Sequence, residues 1–301
     1  MSEPVRLTVA LRDYPHTLAM KQGRVASPEV GFDFIAVDPI HDAFSPMIRR
    51  QAYDISELAI VVALQAVEAG TPLILLPTVV AARMQRGCLI HHRARGRIEG
   101  AEIAGKRIGV RAYSQTTGMW VRAALREDFG LEVRQLRWFT QNRSHLGEFD
   151  DPDFVQPAEP GKSLLSQLRD GAIDAAILGN DLPEGDEFAP VIPDHRARDA
   201  AWVAAHGFMP VNHVVAVSAR VAQAHPRAVA AAYALLRESA AQAQRPAGSM
   251  DPTRFGLAAL RAPLRYIIAE CHRQGLLGRM LDADEVLAPA AVLLEQAGIA
   301  G

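Results

Sequence analysis

Apolar residues along the chain fall into short runs, and most runs end on a polar cluster. "VRLTVAL" (Val5–Leu11) predicts a strand that stops at Arg12-Asp13-Tyr14. "GFDFIAVD" (Gly31–Asp38) alternates in part and predicts a second strand, and His41–Gln51 a helix. "YDISELAIVVALQAVEAG" (Tyr53–Gly70) begins as a strand and turns helical, with Gly70 as the stop. "LILLPTVV" and "GCLIHH" predict buried strands. A strand over Arg107–Val110, a polar turn and a helix over about Thr116–Phe129 follow, then a strand in "VRQLRWFT". Gln141–Gly161 is long, polar and rich in Asp, Pro and Gly, which predicts a surface loop or short hairpin. "KSLLSQLRDGAIDAAILG" predicts helix, turn and strand, with Ser163 as N-cap. "GFMPVNHVVAV" (Gly207–Val217) reads as a buried strand that starts on Pro210, Asn212 and His213. Helices are expected over Arg220–Gln244, Thr253–Gln274 and Asp284–Ala297.

Strands alternating with helices predict an α/β fold with mixed, mainly parallel sheets. The order suggests two units. Residues 1–91 and 206–301 form lobe I, because the helical tail has no sheet of its own and must pack on the first unit. Residues 92–205 form lobe II. The chain would then cross twice, near Cys88–His92 and near Gly207–His213. Ligands of open α/β sheets bind outside the carboxyl ends of strands, so an interdomain cleft is the expected site.

Composition narrows the function classes. With 49% hydrophobic residues over 301 positions, a large core can be buried. A net charge of -2, with Lys and Arg dispersed, argues against nucleic acid. The one basic cluster, "HHRARGR" (His91–Arg97), reads as a solvated loop. The most apolar stretch, Leu58–Ala82, is broken by Gln65, Glu68, Gly70, Pro72 and Pro77, so no membrane span is expected. The start of the chain lacks a basic region followed by an apolar one, so a soluble cytoplasmic protein is expected. The two cysteines, Cys88 and Cys271, fit no metal or redox spacing and are expected as buried thiols.

Four places could carry chemistry. Tyr113-Ser114-Gln115-Thr116-Thr117 precedes a helix, where free backbone N–H groups and hydroxyls favour an anion; plain N-capping would use the same residues. Arg83 and Arg86 stand in an apolar context and could grip carboxylates or lie on the surface. Glu57 enters an apolar run, where it could hold a proton or serve a helix start. His213 is either a proton carrier or a core histidine with one bond. No HExxH, GxSxG or P-loop pattern occurs.

Six segments together resemble the 4,5-dihydroxyphthalate decarboxylase-like family. They are "YDISELAI", "ARMQRGCLI", "GKRIGVRAYSQTTGMWVRAALREDFGL", "PAEPGKSLLSQLRDGAIDAAI", "GFMPVNHVVAV" and "QGLLGRMLDADEVLAP", in the family's order over nearly the whole chain. The resemblance implies a two-lobed type 2 periplasmic-binding-protein-like fold and a cytoplasmic member that catalyses decarboxylation. Residue by residue it points to Glu57, Arg83, Arg86, Tyr113–Thr117, Trp120 and His213. The chain departs from the family where Asn212 replaces Met, where "HGFMP" replaces "TGIFP", and in the Gln141–Asp153 loop, which lacks a Gly-Gly segment.

The function so implied is cofactor-independent decarboxylation of a hydroxylated aromatic carboxylate. A phenolate para to the departing carboxylate pushes electrons to the ring carbon, a general acid protonates that carbon, and CO2 loss restores aromaticity. Glu57 and His213 are the expected acid–base pair, in either order. Arg83, Arg86 and the Ser114–Thr117 turn would hold carboxylates; Arg12, Asp13 and Asn212 would line the site, and Tyr14 and Trp120 would wall the ring. The electron source is internal, so no metal is obligatory, although a divalent ion could assist. Two alternatives stay open: a binding protein for a small anionic or aromatic solute, and a cytoplasmic enzyme of the menaquinone-pathway type on the same fold. The sequence leaves the oligomeric state open.

Overall fold

The computed structural model describes residues 3–142, 144, 149–179 and 182–299. In chain order the first elements are β1 (Val5–Ala10), α1 (Leu18–Lys21), β2 (Val30–Phe34), α2 (Phe44–Arg50), β3 (Ile55–Ala59), α3 (Ile60–Glu68) and β4 (Leu73–Ala82). Then come β5 (Leu89–His92), β6 (Arg107–Val110), α4 (Thr116–Phe129), β7 (Arg137–Thr140), β8 (Val155–Pro157), α5 (Leu164–Asp170), β9 (Ala175–Ile177), β10 (Phe188–Pro190) and α6 (His195–His206). The last are β11 (Val211–Ser218), α7 (Ala219–Ala224), α8 (Pro226–Ala241), β12 (Arg254–Phe255), α9 (Leu257–Arg273) and α10 (Ala283–Gln296).

The chain divides into two compact units. The first holds Met1–Ala82, Val211–Ala269 and Arg279–Gly301; the second holds Arg83–Pro210 and Glu270–Gly278. The first unit's sheet has the order β12-β4-β11-β3-β1-β2. β1 is parallel to β2 and β3, and β11 runs antiparallel to β3 and β4. Apolar residues on one face of β1, β3 and β11 form a core with α8, including Leu7, Val9, Ile55, Val215, Val217, Val229 and Leu236. Each such side chain contributes about 1.5–3 kcal/mol on burial.

The second unit's sheet has the order β10-β5-β9-β6-β7-β8, with β6 parallel to β7 and β9. Strand β5 pairs with β9 and β10, so it belongs to this sheet and the unit boundary falls at Ala82/Arg83. Ser163 caps α5 through a bond from the Ser166 N–H, and Gly171 ends that helix in the left-handed region at φ 74°.

Three segments differ from the pattern-based expectation. The helix expected over Arg220–Gln244 is two helices, because Pro226 has no N–H to continue α7 and instead starts α8. The helix expected from Thr253 starts at Leu257. Arg254–Phe255 before it pairs with Thr78–Val79, so the tail does add a strand to a sheet. The polar segment after β7 contributes β8, parallel to β7, where a loop or hairpin was expected. Residues 143 and 145–148 of the Gln141–Asp153 loop lie outside the described residues. Among the described residues no helix is long and apolar enough to cross a membrane.

Candidate functional site

In the first unit the polar residues gather at the carboxyl ends of β1 and β3. Strand β11 runs the other way, so its beginning meets the end of β3, with His213 opposite Ala59 and Val215 opposite Glu57. Residues 213 and 215 share a face, and Glu57 and His213 are therefore diagonal neighbours across the strands, within reach of long side chains. On its other edge β11 is irregular: its register against β4 shifts between Val211 and His213. Such bulges re-aim side chains at functional sites. Asn212, buried, lies within this irregularity.

Glu57 is fully buried (0% exposed) and accepts from one backbone and two side-chain donors. Its Oε1 accepts from the Tyr14 hydroxyl at 2.6 Å and from His213 Nδ1 at 2.5 Å, and its Oε2 accepts from the Arg12 N–H at 3.1 Å. Burial alone would raise the carboxyl's pKa, but the bonds from His213, Tyr14 and Arg12 outweigh it and hold the group below its ordinary value. Glu57 is therefore a carboxylate at neutral pH and can only accept. Hence Nδ1 of His213 is the donor in their bond, and Nε2 is the ring nitrogen left facing away from Glu57. The His213 side chain is 21% exposed and meets Phe44 edge-on at 5.4 Å.

Tyr14 is kept protonated: burial first, then the Glu57 charge, push its phenol well up. Its ring stacks on His16 at 4.9 Å, and the Arg12 guanidinium lies 5.6 Å from its centroid. Tyr14 thus serves as a donor to Glu57. The Arg12 side chain is exposed and its guanidinium has no carboxylate at ion-pair distance among the described residues, whereas Asp13 pairs with Lys21 on the surface. His16 escaped the sequence reading. It is buried, bonds Val80 O through Nε2 at 2.8 Å, and is held below its ordinary pKa by burial. Its signal in the sequence was the polar cluster after β1, two residues beyond Tyr14.

In the second unit the turn before α4 gathers polar groups. Gln115 starts the helix without a hydrogen bond from its own side chain to the first turn. Arg83 is half-buried and donates to Thr117 Oγ1 at 3.1 Å and to Cys88 Sγ at 3.2 Å, with no carboxylate at ion-pair distance among the described residues. Ser114 Oγ lies 3.3 Å from Ser144 Oγ, and Gln115 Oε1 is a buried acceptor without a donor. Thr116 is buried beside them. A guanidinium with spare donors and an uncapped helix start are what a carboxylate or phosphate needs.

Three expected ligand contacts, Arg86, Tyr113 and Trp120, are buried with partners inside this unit. Arg86 is buried and makes a bidentate pair with Asp128, at 2.9 and 3.1 Å, and a further bond to Asp199 at 3.1 Å. Tyr113 is buried and donates to Gln274 O at 2.8 Å. Trp120 is buried and packs edge-on against Trp202 at 5.5 Å. Both cysteines are buried free thiols. Among the described residues no three His, Cys, Asp or Glu side chains are grouped to hold a metal.

No family model matches the chain. It is similar to a 4,5-dihydroxyphthalate decarboxylase of Comamonas testosteroni, 26% identical over 331 aligned positions that cover 96% of this chain and 98% of that one. It is also similar to a 4,5-dihydroxyphthalate decarboxylase of Pseudomonas putida, 28% identical over 181 positions that cover 58% of this chain and 70% of that one. Among solved structures, a periplasmic sulfonate-binding protein from Methylobacillus flagellatus superposes with a TM-score of 0.53 at 10% identity, over 100% of this chain and 97% of that one. The fold is thus that of the periplasmic binding proteins, and the family resemblance drawn from the six segments holds along almost the full length.

Proposed function

We propose that this protein is a carboxy-lyase that decarboxylates a hydroxylated aromatic carboxylate of the 4,5-dihydroxyphthalate type, without a cofactor. The observation that carries this reading is the meeting of the His213 Nδ1–H and the Tyr14 hydroxyl on one oxygen of a fully buried carboxylate. A passive solute clamp has no need of a charge-compensated imidazole. A proton carrier does, because Glu57 stabilises the imidazolium whenever Nε2 takes a proton.

The roles follow. In this reading Glu57 is the buried orienting carboxylate. His213 is the group that gives and takes the proton, at Nε2. Tyr14 holds Glu57 from the other side. Arg12 supplies an exposed cation beside them. In the second unit Arg83 and the Ser114–Thr117 turn hold a carboxylate. In the reaction the phenolate pushes its electrons into the ring, the ring carbon gains the proton, and the C–C bond to the carboxylate breaks with release of CO2. In this reading the protein works in the cytoplasm on a small anionic aromatic substrate.

The test is incubation with 4,5-dihydroxyphthalate while following CO2 and protocatechuate. Stoichiometric appearance of both is the expected result. No turnover, together with tight binding of another anion, would sink the enzymatic reading and favour a binding protein.

A further inference from the structure

Arg122 is physically odd. It sits in α4, one turn beyond Gly118, and is 2% exposed. Its Nε donates to Gln274 Oε1 at 2.7 Å and its Nη2 to the Tyr113 carbonyl at 2.8 Å, while Nη1 is buried without an acceptor. The guanidinium faces the Tyr113 ring at 4.0 Å and the Trp138 ring at 5.3 Å. Among the described residues no carboxylate lies within ion-pair distance of it: Glu270 is paired with Arg126, and Asp151 acts on it only through space. Burying a charge with no opposite charge beside it costs several kcal/mol, and an apolar side chain of similar volume would avoid that cost. A guanidinium nevertheless stays ionised.

Its location suggests what offsets the cost. A Cβ added at Gly118, in the first turn of α4, would stand 3.2 Å from Nη1. The charge therefore lies against the helix start, and its Nη2 bond fixes the carbonyl of Tyr113, directly before Ser114–Thr117. Gln274 ties the arrangement from beneath, donating to Met119 O at 3.0 Å. Arg83, also without a carboxylate, and the unpartnered Gln115 Oε1 belong to the same turn.

We propose that Arg122 is a positioning residue of an anion site at the start of α4. Its buried, uncompensated cation sets the Ser114–Thr117 turn and adds a fixed attraction for a ligand carboxylate. This rests on the reading of that turn as the carboxylate-holding end. A purely structural arginine would affect every ligand alike; an electrostatic one discriminates by ligand charge.

The experiment compares wild type, Arg122→Met and Arg122→Lys by titration calorimetry with phthalate, benzoate, inorganic phosphate and catechol, with thermal melts to establish folding. The Met variant should weaken phthalate by about 10- to 100-fold, the range of a lost charged hydrogen bond, benzoate less, and uncharged catechol less than about 2-fold. A buried lysine loses its proton more readily than an exposed one, so phthalate affinity of the Lys variant should fall from pH 6 to pH 8.5 while wild type stays level. Equal weakening of all four ligands, or none, overturns the proposal. If the Met variant does not fold, a Lys variant whose phthalate affinity ignores pH overturns it. Wild type that binds phosphate but no aromatic acid, with the same loss in the variants, keeps the role of Arg122 and removes the aromatic-acid reading. Wild type that binds phthalate with uniform losses does the reverse.

Discussion

The end of β3 in the first unit and the start of α4 in the second both place charge inside apolar surroundings, and they balance it in opposite ways. Glu57 has three donors and one of them can be charged. Arg83 and Arg122 have donors to spare and no carboxylate at ion-pair distance among the described residues. A saturated charge beside a titratable ring suits proton movement, because the compensation is already in place when the ring ionises. An unsaturated charge at a helix start suits holding an anion, because the missing counter-charge is the ligand. Elsewhere in the second unit Arg86 shows the closed alternative: its guanidinium charge is matched by Asp128 and Asp199 at ion-pair distance.

The comparison breaks most readily at His213. Replacing it by Gln keeps a polar side chain but removes the titratable nitrogen, so turnover should fall by about 10²–10⁴-fold while substrate binding stays measurable. Single-turnover kinetics with calorimetry separates the two. Turnover within a few-fold of wild type would mean that His213 only holds the substrate.

At the other region Arg83→Met should act on binding. The expected effect is a KM raised by about 10- to 100-fold, the range of a charge-assisted hydrogen bond, with kcat little changed. A fall in kcat with unchanged KM would place Arg83 in the chemistry and erase the division of labour between the regions.

How much of this was legible in sequence depended on how far away each partner lies. Strand β11 was readable because "HVVAVS" is locally apolar and β-branched, and Ser163 was readable as a cap because its partner is three residues on. The pairing of Arg86 was not legible because its partners are 42 and 113 positions away, and no local pattern announces that two aspartates will close on it. The packing of Trp120 on Trp202 was hidden for the same reason. His213 and Glu57, 156 positions apart, were singled out separately, as polar residues entering apolar runs. Their shared bond, and so their order of roles, needed the strand register. The break at Pro226 was fully local and was overlooked under an alanine-rich helical composition.

The smallest effect tests how far Glu57 depends on its second donor. Tyr14→Phe removes one bond to Oε1 and leaves the His213 bond in place. The sign is fixed by the direction of the Glu57 shift. The folded carboxyl lies below its unfolded value, about 4.3, so its stabilisation is complete above that pH and is lost as pH falls through the folded value. Removing the Tyr14 donor raises the folded value towards 4.3 and narrows that window. The variant should therefore be less stable than wild type at neutral pH by about 1–3 kcal/mol, the scale of a hydrogen bond to a charged group. The gap should shrink as pH falls through the folded values of the two proteins, where protonation of Glu57 removes the charge that the hydroxyl served. Urea denaturation at a series of pH values measures it. A gap that stays constant into acid would mean that the hydroxyl contributes only packing, and that His213 alone compensates the buried carboxylate.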